Sequence, residues 1–364
     1  MDTALQTLST KIYPMLTPQH RVALFLPQGT QSTDGKTGLA LLRYREGPIV
    51  TVIDPDCAGQ NLREVTGIDR EVPIVASVTE ALQYQPDVLL IGIAPLGGQL
   101  PEAWLEEVRQ GVKAGLSVVN GLHQKLGADP TIAAHLQTVN PAQQWVWDLR
   151  QEPPGLTTAN GSARNLTCRR VLMVGTDMGV GKMSTGLTLE RLARDRGLRS
   201  AFVATGQAGI MIQGSGIPLD AIRVDFAAGA VQQQVLNHGN NADIIFVEGQ
   251  GSLFHPSSTA PLPLLRGSQA NHLILVHRPS QIHIHKLPDF LLPPLPAAIA
   301  LYETLATAAG LFTPARVVGI ALNTFGLTDA EAQTAIAQAQ TDTGLPCTDV
   351  IRYGGDVLLD ALLQ

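Results

Sequence analysis

A lysine that follows a series of glycines is the first candidate for chemistry in this sequence. Residues 171–185 read VLMVGTDMGVGKMST, an apolar run that leads into glycines, Lys182 and then hydroxyl residues. Glycines allow successive backbone N–H groups to converge on an anion, and a helix N-terminus and a lysine add positive charge. A strand, a glycine-rich loop and a helix in this order predict a phosphate-binding loop. The predicted phosphate-binding residues are Gly175, Thr176, Asp177, Gly179, Gly181, Lys182, Met183 and Ser184.

The loop departs at two positions from the nucleotide-hydrolysing pattern G-x-x-x-x-G-K-[ST]. Thr176 stands at the first glycine, and Met183 replaces the hydroxyl residue that normally binds magnesium. A thioether is a poor ligand for a hard cation that prefers oxygen. Ser184 and Thr185 follow, but they are rotated around the helix. The loop therefore suits a phosphate that is bound without being transferred, such as the diphosphate of coenzyme A.

A second candidate group lies at the end of another apolar run. The stretch DIIFVEGQGSLFHP places Glu248 at the carboxyl end of a predicted strand, with His255 further along. Ligands of open α/β sheets bind outside the carboxyl ends of the strands, so Glu248 is expected to face the same crevice as Lys182. We predict that Glu248 is catalytic, as a general base or a metal ligand, with a capping or salt-bridging role as the alternative. His255 is the second catalytic candidate, and its alternative is a capping role in its loop.

Three residues are candidates for substrate binding. Gln207 lies in a glycine-containing loop after a predicted strand, Arg278 directly follows another strand, and Lys286 lies further along. A guanidinium or ammonium group at such a position can bind a substrate carboxylate. The H-x-H at residues 283–285 has no acidic or cysteine partner at ligand spacing nearby, so no metal site is predicted.

These candidates lie at the ends of alternating strands and helices in the second half of the chain. A capping-box spacing from Thr328 to Glu331 predicts a helix that runs toward Gly344. The proline-rich stretch LPDFLLPPLP at 287–296 is predicted to be an ordered loop, because prolines interrupt both regular elements. Apolar runs predict strands at 170–174, 200–205, 243–248, 272–277 and 316–323.

The first half shows the same alternation, with predicted strands at 22–27, 49–54, 72–77, 87–94 and 116–121. Continuous apolar runs between helices are typical of a parallel sheet covered on both faces. No G-x-G-x-x-G follows the first strand, so this half is expected either to supply substrate contacts or to mediate assembly. We predict two three-layer α/β domains with mainly parallel sheets. They are a Rossmann-like domain at 1–150, a linker rich in Pro, Gly, Ser and Asn at 151–168, and a P-loop NTPase-like domain at 169–364.

Composition narrows the class of protein. The 364 residues are 45% hydrophobic and 15% charged, which is typical of globular domains. The net charge of −6 gives no support for a nucleic-acid partner. The sequence contains no run of about 18 apolar residues, so no membrane span is predicted. The first residues do not form a basic leader followed by an apolar stretch, so we expect a cytoplasmic protein with reduced cysteines.

The chain resembles a two-domain family formerly catalogued as a domain of unknown function. The stretches that carry the resemblance are GTDMGVGKMST, TGQAGIMIQG, VDFAAGA, VEGQGSLFHP, APLGGQLP and NGLHQKL. Members join a Rossmann-like N-terminal domain to a P-loop C-terminal domain, and GK-Met in place of GK-Thr is part of the family pattern. Some members are D-glutamate N-acetyltransferases that use acetyl-CoA and work beside an enolase-superfamily epimerase. The form GTDxGxGK is also similar, more distantly, to P-loop enzymes of the dethiobiotin synthetase type.

The leading hypothesis from the motifs and the resemblance is acyl transfer from acetyl-CoA to the amine of a small acidic, D-glutamate-like amino acid. Glu248 would accept a proton from the attacking ammonium, and backbone N–H groups of the glycine-rich loops would stabilise the oxyanion. One alternative is a ligase or kinase that uses ATP with Mg²⁺, in which Thr185 or Asp177 completes the metal shell. Another is a non-catalytic nucleotide-binding regulator. We expect a homo-oligomer, with the epimerase as pathway partner.

Overall fold

Two parallel β-sheets organise the computed structural model, which describes residues 16–95 and 97–364. The described chain divides into two units. Unit 1 extends to Arg150 and also includes Met211–Ser215, whereas unit 2 comprises Gln151–Ile210 and Gly216–Gln364. Each unit contains a six-stranded sheet in which neighbouring strands are parallel. The predicted fold class of two α/β domains with parallel sheets is confirmed.

Unit 1 has the strand order β3-β2-β1-β4-β5-β6. Its strands are β1 (Val22–Phe25), β2 (Ile49–Ile53), β3 (Ile74–Val75), β4 (Val88–Ile91), β5 (Ser117–Asn120) and β6 (Val146–Asp148). Its helices are α1 (Lys36–Tyr44), α2 (Leu62–Thr66), α3 (Val78–Ala81), α4 (Glu102–Lys113) and α5 (Pro130–Leu136). The five strands predicted in this half are all present. The sequence pattern missed β6, because that strand is short and only half-buried.

The buried carboxylate of Asp54 shows how one loop of unit 1 is held. Asp54 follows β2 and accepts hydrogen bonds from the backbone N–H groups of Gln28 (2.9 Å) and Thr30 (3.1 Å). These contacts fix the turn after β1, in which Gln28 has a left-handed backbone with φ of 57°. Asp54 therefore satisfies backbone donors of its own unit, as a buried carboxylate must.

Unit 2 has the strand order β14-β13-β10-β7-β9-β8, with a separate antiparallel hairpin of β11 and β12. Its strands are β7 (Arg169–Gly175), β8 (Ser200–Val203), β9 (Ile244–Val247), β10 (His272–His277), β11 (His283–Ile284), β12 (Leu287–Leu291), β13 (Arg316–Leu322) and β14 (Cys347–Thr348). Its helices are α6 (Lys182–Asp195), α7 (Gln207–Gln213, whose last three residues belong to unit 1), α8 (Val224–Gly239), α9 (Pro261–Ser268), α10 (Leu295–Thr307), α11 (Asp329–Thr343) and α12 (Asp356–Leu363).

The strands predicted in unit 2 and the capped helix are confirmed. The central strands are buried along nearly their whole length, which explains their continuous apolar sequence. The side chain of Thr328 accepts a hydrogen bond from the N–H of Glu331, whose carboxylate accepts from the N–H of Thr328. Helix α11 ends at Gly344, which adopts a left-handed backbone with φ of 70°.

The prediction of an ordered loop at residues 287–296 is wrong. Residues 287–291 form β12, which pairs with β11, and α10 begins at Leu295. Pro288 is compatible with a strand here because a two-stranded hairpin has edges on which no N–H donor is needed. Pro294 precedes α10, and Pro296 lies in its first turn, where a missing N–H costs no helical hydrogen bond.

The longest of the described helices is shorter than a membrane span. Helix α8 is 16 residues long, and it includes the buried polar residues Gln232 and Gln234. A helix that spans a bilayer needs about 20 predominantly apolar residues. Within residues 16–95 and 97–364, no helix has the length and hydrophobicity to cross a membrane.

Candidate phosphate-binding and catalytic site

The loop between β7 and α6 has the backbone shape that its glycines predict. Gly179 and Gly181 have φ values of 67° and 116°, a left-handed region that residues with a Cβ rarely adopt. Gly181 caps α6, and Lys182 is the first residue of this 14-residue helix. The helix N-terminus therefore contributes its partial positive charge at the loop. This is the geometry of an anion-binding loop.

Lys182 is buried, with only 6% of its surface exposed. Its Nζ donates a hydrogen bond of 2.8 Å to the carbonyl oxygen of Asp177. Burial lowers the pKa of Lys182 to about 8, and the negative charges of Asp177 and Glu248 oppose that shift. An ammonium group has three donors, so Lys182 can contact its own loop and an anion at the same time.

Asp177 connects the phosphate-binding loop to the β11–β12 hairpin. Its side chain is fully buried. One carboxylate oxygen accepts from the N–H of Met178 (2.6 Å), and the other accepts from the N–H of His285 (2.7 Å) and from the side-chain amide of Gln281. The carboxylate is thus satisfied by hydrogen bonds that fix the loop conformation.

Side chains from two neighbouring strand ends and from helix α10 hold the loop at further points. Thr176 Oγ1 lies 2.9 Å from His277 Nδ1, and burial lowers the pKa of His277 to about 4, so its imidazole is neutral near pH 7. The carbonyl oxygen of Gly175 accepts from the hydroxyl of Tyr302 (2.7 Å). The side-chain amide of Asn323, which follows β13, donates to the carbonyl oxygen of Val180 (3.0 Å). The loop is therefore positioned by groups from three surrounding elements.

The residues proposed to replace the missing magnesium hydroxyl have other partners. The Thr185 hydroxyl donates to the carbonyl oxygen of Gly181 (3.1 Å), and the Asp177 carboxylate binds the hairpin as described above. Met183 and Ser184 are half-buried at the start of α6. No group of three or more His, Cys, Asp and Glu side chains within the described ranges has an arrangement that could hold a metal ion.

Glu248 is buried beside the phosphate-binding loop, directly after β9. Only 2% of its surface is exposed, and one carboxylate oxygen accepts from the N–H groups of Thr205 (2.8 Å) and Gly206 (3.1 Å). Burial raises the pKa of Glu248 to about 7, although these hydrogen bonds, Lys182 and the side chain of Gln250 favour the ionised form. The residue after Glu248 packs against Lys182, since a Cβ at Gly249 would lie 2.8 Å from Lys182 Cδ, and each of the two charges affects the pKa of the other.

Two glycines make room for this carboxylate and its partner. A Cβ at Gly209, in α7, would lie 2.3 Å from Glu248 Oε2, and a Cβ at Gly206 would lie 2.2 Å from the side-chain nitrogen of Gln250. Real Cβ atoms do not approach other atoms this closely, so a side chain at either position would force Glu248 or Gln250 to move. The spacing G-x-x-G brings two missing side chains to the same region, a signal that the sequence prediction did not use.

The remaining predicted site residues occupy different environments. His255 Nδ1 accepts from the N–H of Ser257 (3.2 Å), so the ring caps its own turn. Gln207 begins α7 directly after Gly206. Arg278 follows β10, and its Nε is buried with no hydrogen-bond partner among the residues that the structure describes. Lys286 is exposed at the turn of the β11–β12 hairpin, with a left-handed φ of 64°.

Several residues that shape the site were not predicted. Gln281 binds the Asp177 carboxylate, Tyr302 and Ser252 bind the carbonyl oxygen of Gly175, and Gln250 binds Glu248. Each of these side chains makes its contact across a large sequence separation or from an irregular segment. No spacing rule marks them in the sequence.

The glycine-rich phosphate-binding loop follows β7, one of the two central strands of its parallel sheet, and the chain has a second parallel α/β unit. These features define a two-domain P-loop protein. The chain belongs to the DUF1611 family. The model of its P-loop domain, described as a domain of unknown function, matches residues 157–359, and the model of its Rossmann-like N-terminal domain matches residues 55–152. The family predicted from the resemblance is confirmed.

Three similar proteins cover most of the chain. A protein from Tritonibacter scottomollicae named D-glutamate N-acetyltransferase is 34% identical over 343 residues, which cover 93% of this chain and 97% of that protein. A protein of the same name from Pseudoalteromonas sp. is 32% identical over 285 residues, covering 78% and 83%. The crystal structure of a DUF1611 family protein from Anabaena variabilis, at 2.30 Å resolution, is 57% identical with a TM-score of 0.90, covering 95% of this chain and 100% of that one.

The contact between Gly209 and Glu248 yields a first prediction. We expect Gly209→Ala to displace the carboxylate from the N–H groups of Thr205 and Gly206, at a cost of about 1–3 kcal/mol in the free energy of unfolding. Urea denaturation of the variant measures this cost. In a Glu248→Ala background the same substitution has space, so a double-mutant cycle should show a clearly smaller effect. An equal cost in both backgrounds would contradict the proposed clash.

The raised pKa of Glu248 yields a second prediction. The folded state binds this proton more tightly than the unfolded state. The resulting contribution to the free energy of unfolding is therefore fully present below pH 4.5, the ordinary pKa of a glutamate, and it is lost as the pH rises through about 7. Glu248→Gln removes this titration and keeps an oxygen for the two N–H donors. Relative to the unmodified protein, the variant should gain up to about 3 kcal/mol between pH 4.5 and pH 8 in urea denaturation. A difference that does not change with pH would refute the shifted pKa.

Proposed function

We propose that the protein is an N-acetyltransferase that moves an acetyl group from acetyl-CoA to the amine of a small acidic amino acid of the D-glutamate type. The observation that carries the proposal is an anion-binding loop in which Met183 replaces the magnesium hydroxyl and whose lysine lies beside a buried carboxylate of raised pKa. The names of the two relatives at 34% and 32% identity support the same class of reaction.

The loop at residues 175–182 would bind the diphosphate of the donor. Lys182 supplies an ammonium group, the glycines expose backbone N–H groups, and the N-terminus of α6 adds its partial charge. Nothing in this arrangement depends on a divalent ion. The rigid contacts of Asp177 and Thr176 keep the loop in place before the donor arrives.

Glu248 would act as the general base. The amino acid attacks as a free amine, so its ammonium must first lose a proton, which Glu248 accepts directly or through water. The amine nitrogen then forms a bond to the thioester carbonyl carbon and the C–S bond breaks. The leaving sulfur takes the second proton that the nitrogen loses, so CoA departs as its thiol and the product is an amide. A pKa of about 7 suits a base that works near neutral pH. The N–H groups of Thr205 and Gly206 are occupied by Glu248, so the oxyanion needs donors from other segments.

Cationic side chains after β10 would bind the carboxylates of the acceptor. The buried Nε of Arg278 lacks a protein partner within the described residues, and a carboxylate would satisfy it. Lys286 presents a second cation on the hairpin that Asp177 anchors to the loop. Gln207, beside the N–H groups that hold Glu248, is the third proposed contact. His255, whose Nδ1 accepts from the N–H of Ser257, is the second proposed catalytic residue.

The competing function is a ligase or kinase that uses ATP with Mg²⁺. It needs Thr185 or Asp177 as a metal ligand, whereas the hydroxyl of Thr185 bonds within α6 and the carboxylate of Asp177 bonds to the hairpin. These contacts favour the acetyltransferase. The proposal also includes a cytoplasmic homo-oligomer, with an enolase-superfamily epimerase as its pathway partner.

Binding of the donor gives a third prediction. Calorimetry should detect acetyl-CoA binding of equal strength in EDTA and in Mg²⁺, because no metal shell is formed. Lys182→Ala should weaken this binding by about 1.5–3 kcal/mol, the value of a hydrogen bond to a charged group. Lys286→Ala is the control, and it should leave acetyl-CoA binding unchanged while weakening binding of the amino acid. ATP binding that strictly requires Mg²⁺, with no binding of acetyl-CoA, would instead establish the ligase or kinase.

The pH dependence of turnover gives a fourth prediction. For acetylation of D-glutamate, kcat/KM should rise about tenfold per pH unit below pH 7 and level off above it, as Glu248 becomes ionised. Glu248→Gln should lower kcat by about 10²–10⁴-fold, measured by release of the CoA thiol. Glu190→Gln is the matched control, because Glu190 is buried in α6 and bonds to Ser200. A Glu248→Gln variant with unchanged activity would remove Glu248 from the mechanism.

A further inference from the structure

Acyl transfer from a thioester places negative charge on the carbonyl oxygen, and this oxyanion needs a hydrogen-bond donor. The backbone N–H groups of Thr205 and Gly206 lie beside Glu248, but both donate to its Oε2, at 2.8 Å and 3.1 Å. The N–H groups of the loop at residues 175–182 and the ammonium group of Lys182 would be engaged with the diphosphate. The oxyanion donor must therefore be another group close to Glu248.

The side-chain amide of Gln250 lies next to the backbone that holds Glu248. Gln250 is half-buried and stands two residues after Glu248, in the segment that follows β9. A Cβ at Gly206 would lie 2.2 Å from Gln250 Nε2 and 3.2 Å from Gln250 Oε1, so the amide packs directly against Gly206. The N–H of the same glycine donates to Glu248. The amide and the carboxylate are therefore neighbours at one glycine.

The chemistry of the two side chains determines which way the amide points. An ionised carboxylate can only accept hydrogen bonds, so Gln250 presents its NH₂ group to Glu248. Burial raises the pKa of Glu248, and the hydrogen bond from Gln250 opposes that shift. An NH₂ group has two N–H donors. One donor serves the carboxylate, and the other can donate to a ligand beside it.

The segment that carries Gln250 is fixed on both sides of this residue. A Cβ at Gly249 would lie 1.8 Å from the carbonyl oxygen of Met173, so the backbone passes β7 in tight contact. The hydroxyl of Ser252, which is fully buried, donates to the carbonyl oxygen of Gly175 (3.0 Å). A donor that is held in place before the reaction stabilises a developing charge without the cost of reorganisation.

The position of Gln250 also agrees with the distances that acyl transfer requires. Gln250 lines one small cavity together with Lys182 and Gly175, so it lies beside the phosphate-binding loop as well as beside Glu248. A base that accepts a proton through a hydrogen bond of about 2.8 Å lies about 4–5 Å from the oxygen of the carbonyl group under attack. A donor that contacts the base can span this distance.

We propose that the side-chain amide of Gln250 donates a hydrogen bond to the thioester carbonyl oxygen and stabilises the oxyanion. As the amine nitrogen bonds to the carbonyl carbon, the C=O electron pair moves onto this oxygen, and it returns when the C–S bond breaks. Gln250 keeps its own protons throughout. The inference rests on the proposed function for the reaction, and it adds a catalytic residue to that reaction.

The test removes the N–H donors of Gln250 and keeps the size of the side chain. Gln250→Met preserves an unbranched side chain of similar length. For acetylation of D-glutamate, it should lower kcat by about 10²–10³-fold, measured by release of the CoA thiol. Binding of acetyl-CoA in calorimetry should be unchanged, because the contact strengthens only in the transition state, and unchanged binding also verifies the fold. Gln338→Met is the matched control and should change neither, because Gln338 is exposed on α11.

A second acyl donor separates an oxyanion contact from a structural effect. In acetyldithio-CoA a C=S group replaces the carbonyl group, and sulfur is a weak hydrogen-bond acceptor. The loss of kcat in Gln250→Met should therefore be at least about tenfold smaller with this donor than with acetyl-CoA. An equal loss with both donors would overturn the proposal.

The pH profile separates an oxyanion contact from an effect on the base. Loss of the hydrogen bond to Glu248 also raises the pKa of that carboxyl group, so kcat is compared at its high-pH limit. A deficit that disappears at this limit would mean that Gln250 only adjusts Glu248, and the proposal would be wrong. Full activity of Gln250→Met in an otherwise active enzyme refutes this inference alone. An unmodified protein that transfers no acetyl group refutes the proposed function and this inference together.

Discussion

The burial of Lys182 and Glu248 close to each other is the constraint on which the candidate site depends. Each group is removed from water, and burial moves their pKa values toward each other, to about 8 and about 7. Isolated buried charges are strongly unfavourable, so each group must have partners. Lys182 has the carbonyl oxygen of Asp177, and Glu248 has two backbone N–H groups. The same burial brings both pKa values close to neutral pH.

The surrounding backbone is shaped by this close approach. A Cβ at Gly249 would lie 1.8 Å from the carbonyl oxygen of Met173 and 2.8 Å from Lys182 Cδ, so the segment after β9 can pass beside the lysine only as glycine. Gly206 and Gly209 play the corresponding part beside Glu248 and Gln250. The glycines of this region therefore have two different roles. Those in the loop permit left-handed backbone and an anion cradle, and those outside it permit tight contact with buried charged side chains.

The hairpin of β11 and β12 is held against the phosphate-binding loop by one carboxylate. Asp177 holds the hairpin through the N–H of His285 and the amide of Gln281. A residue that in a metal-dependent enzyme would be available to the cation is here a structural anchor. The hairpin in turn carries Lys286, which is exposed at its turn.

The amino-acid pattern alone determined the fold class, ten of the strands and the positions of Lys182 and Glu248, because apolar periodicity and glycine spacing act over short stretches of chain. It did not reveal strand β12 at residues 287–291, whose Pro288 is acceptable only at a free strand edge. It also did not reveal that Gln281 binds Asp177 across 104 residues or that Glu248 occupies the N–H groups of Thr205 and Gly206. Those contacts and the shifted pKa values exist only when distant segments pack together. Burial and hydrogen-bond partners depend on which residues are neighbours in space, and the order of residues along the chain does not specify these neighbours.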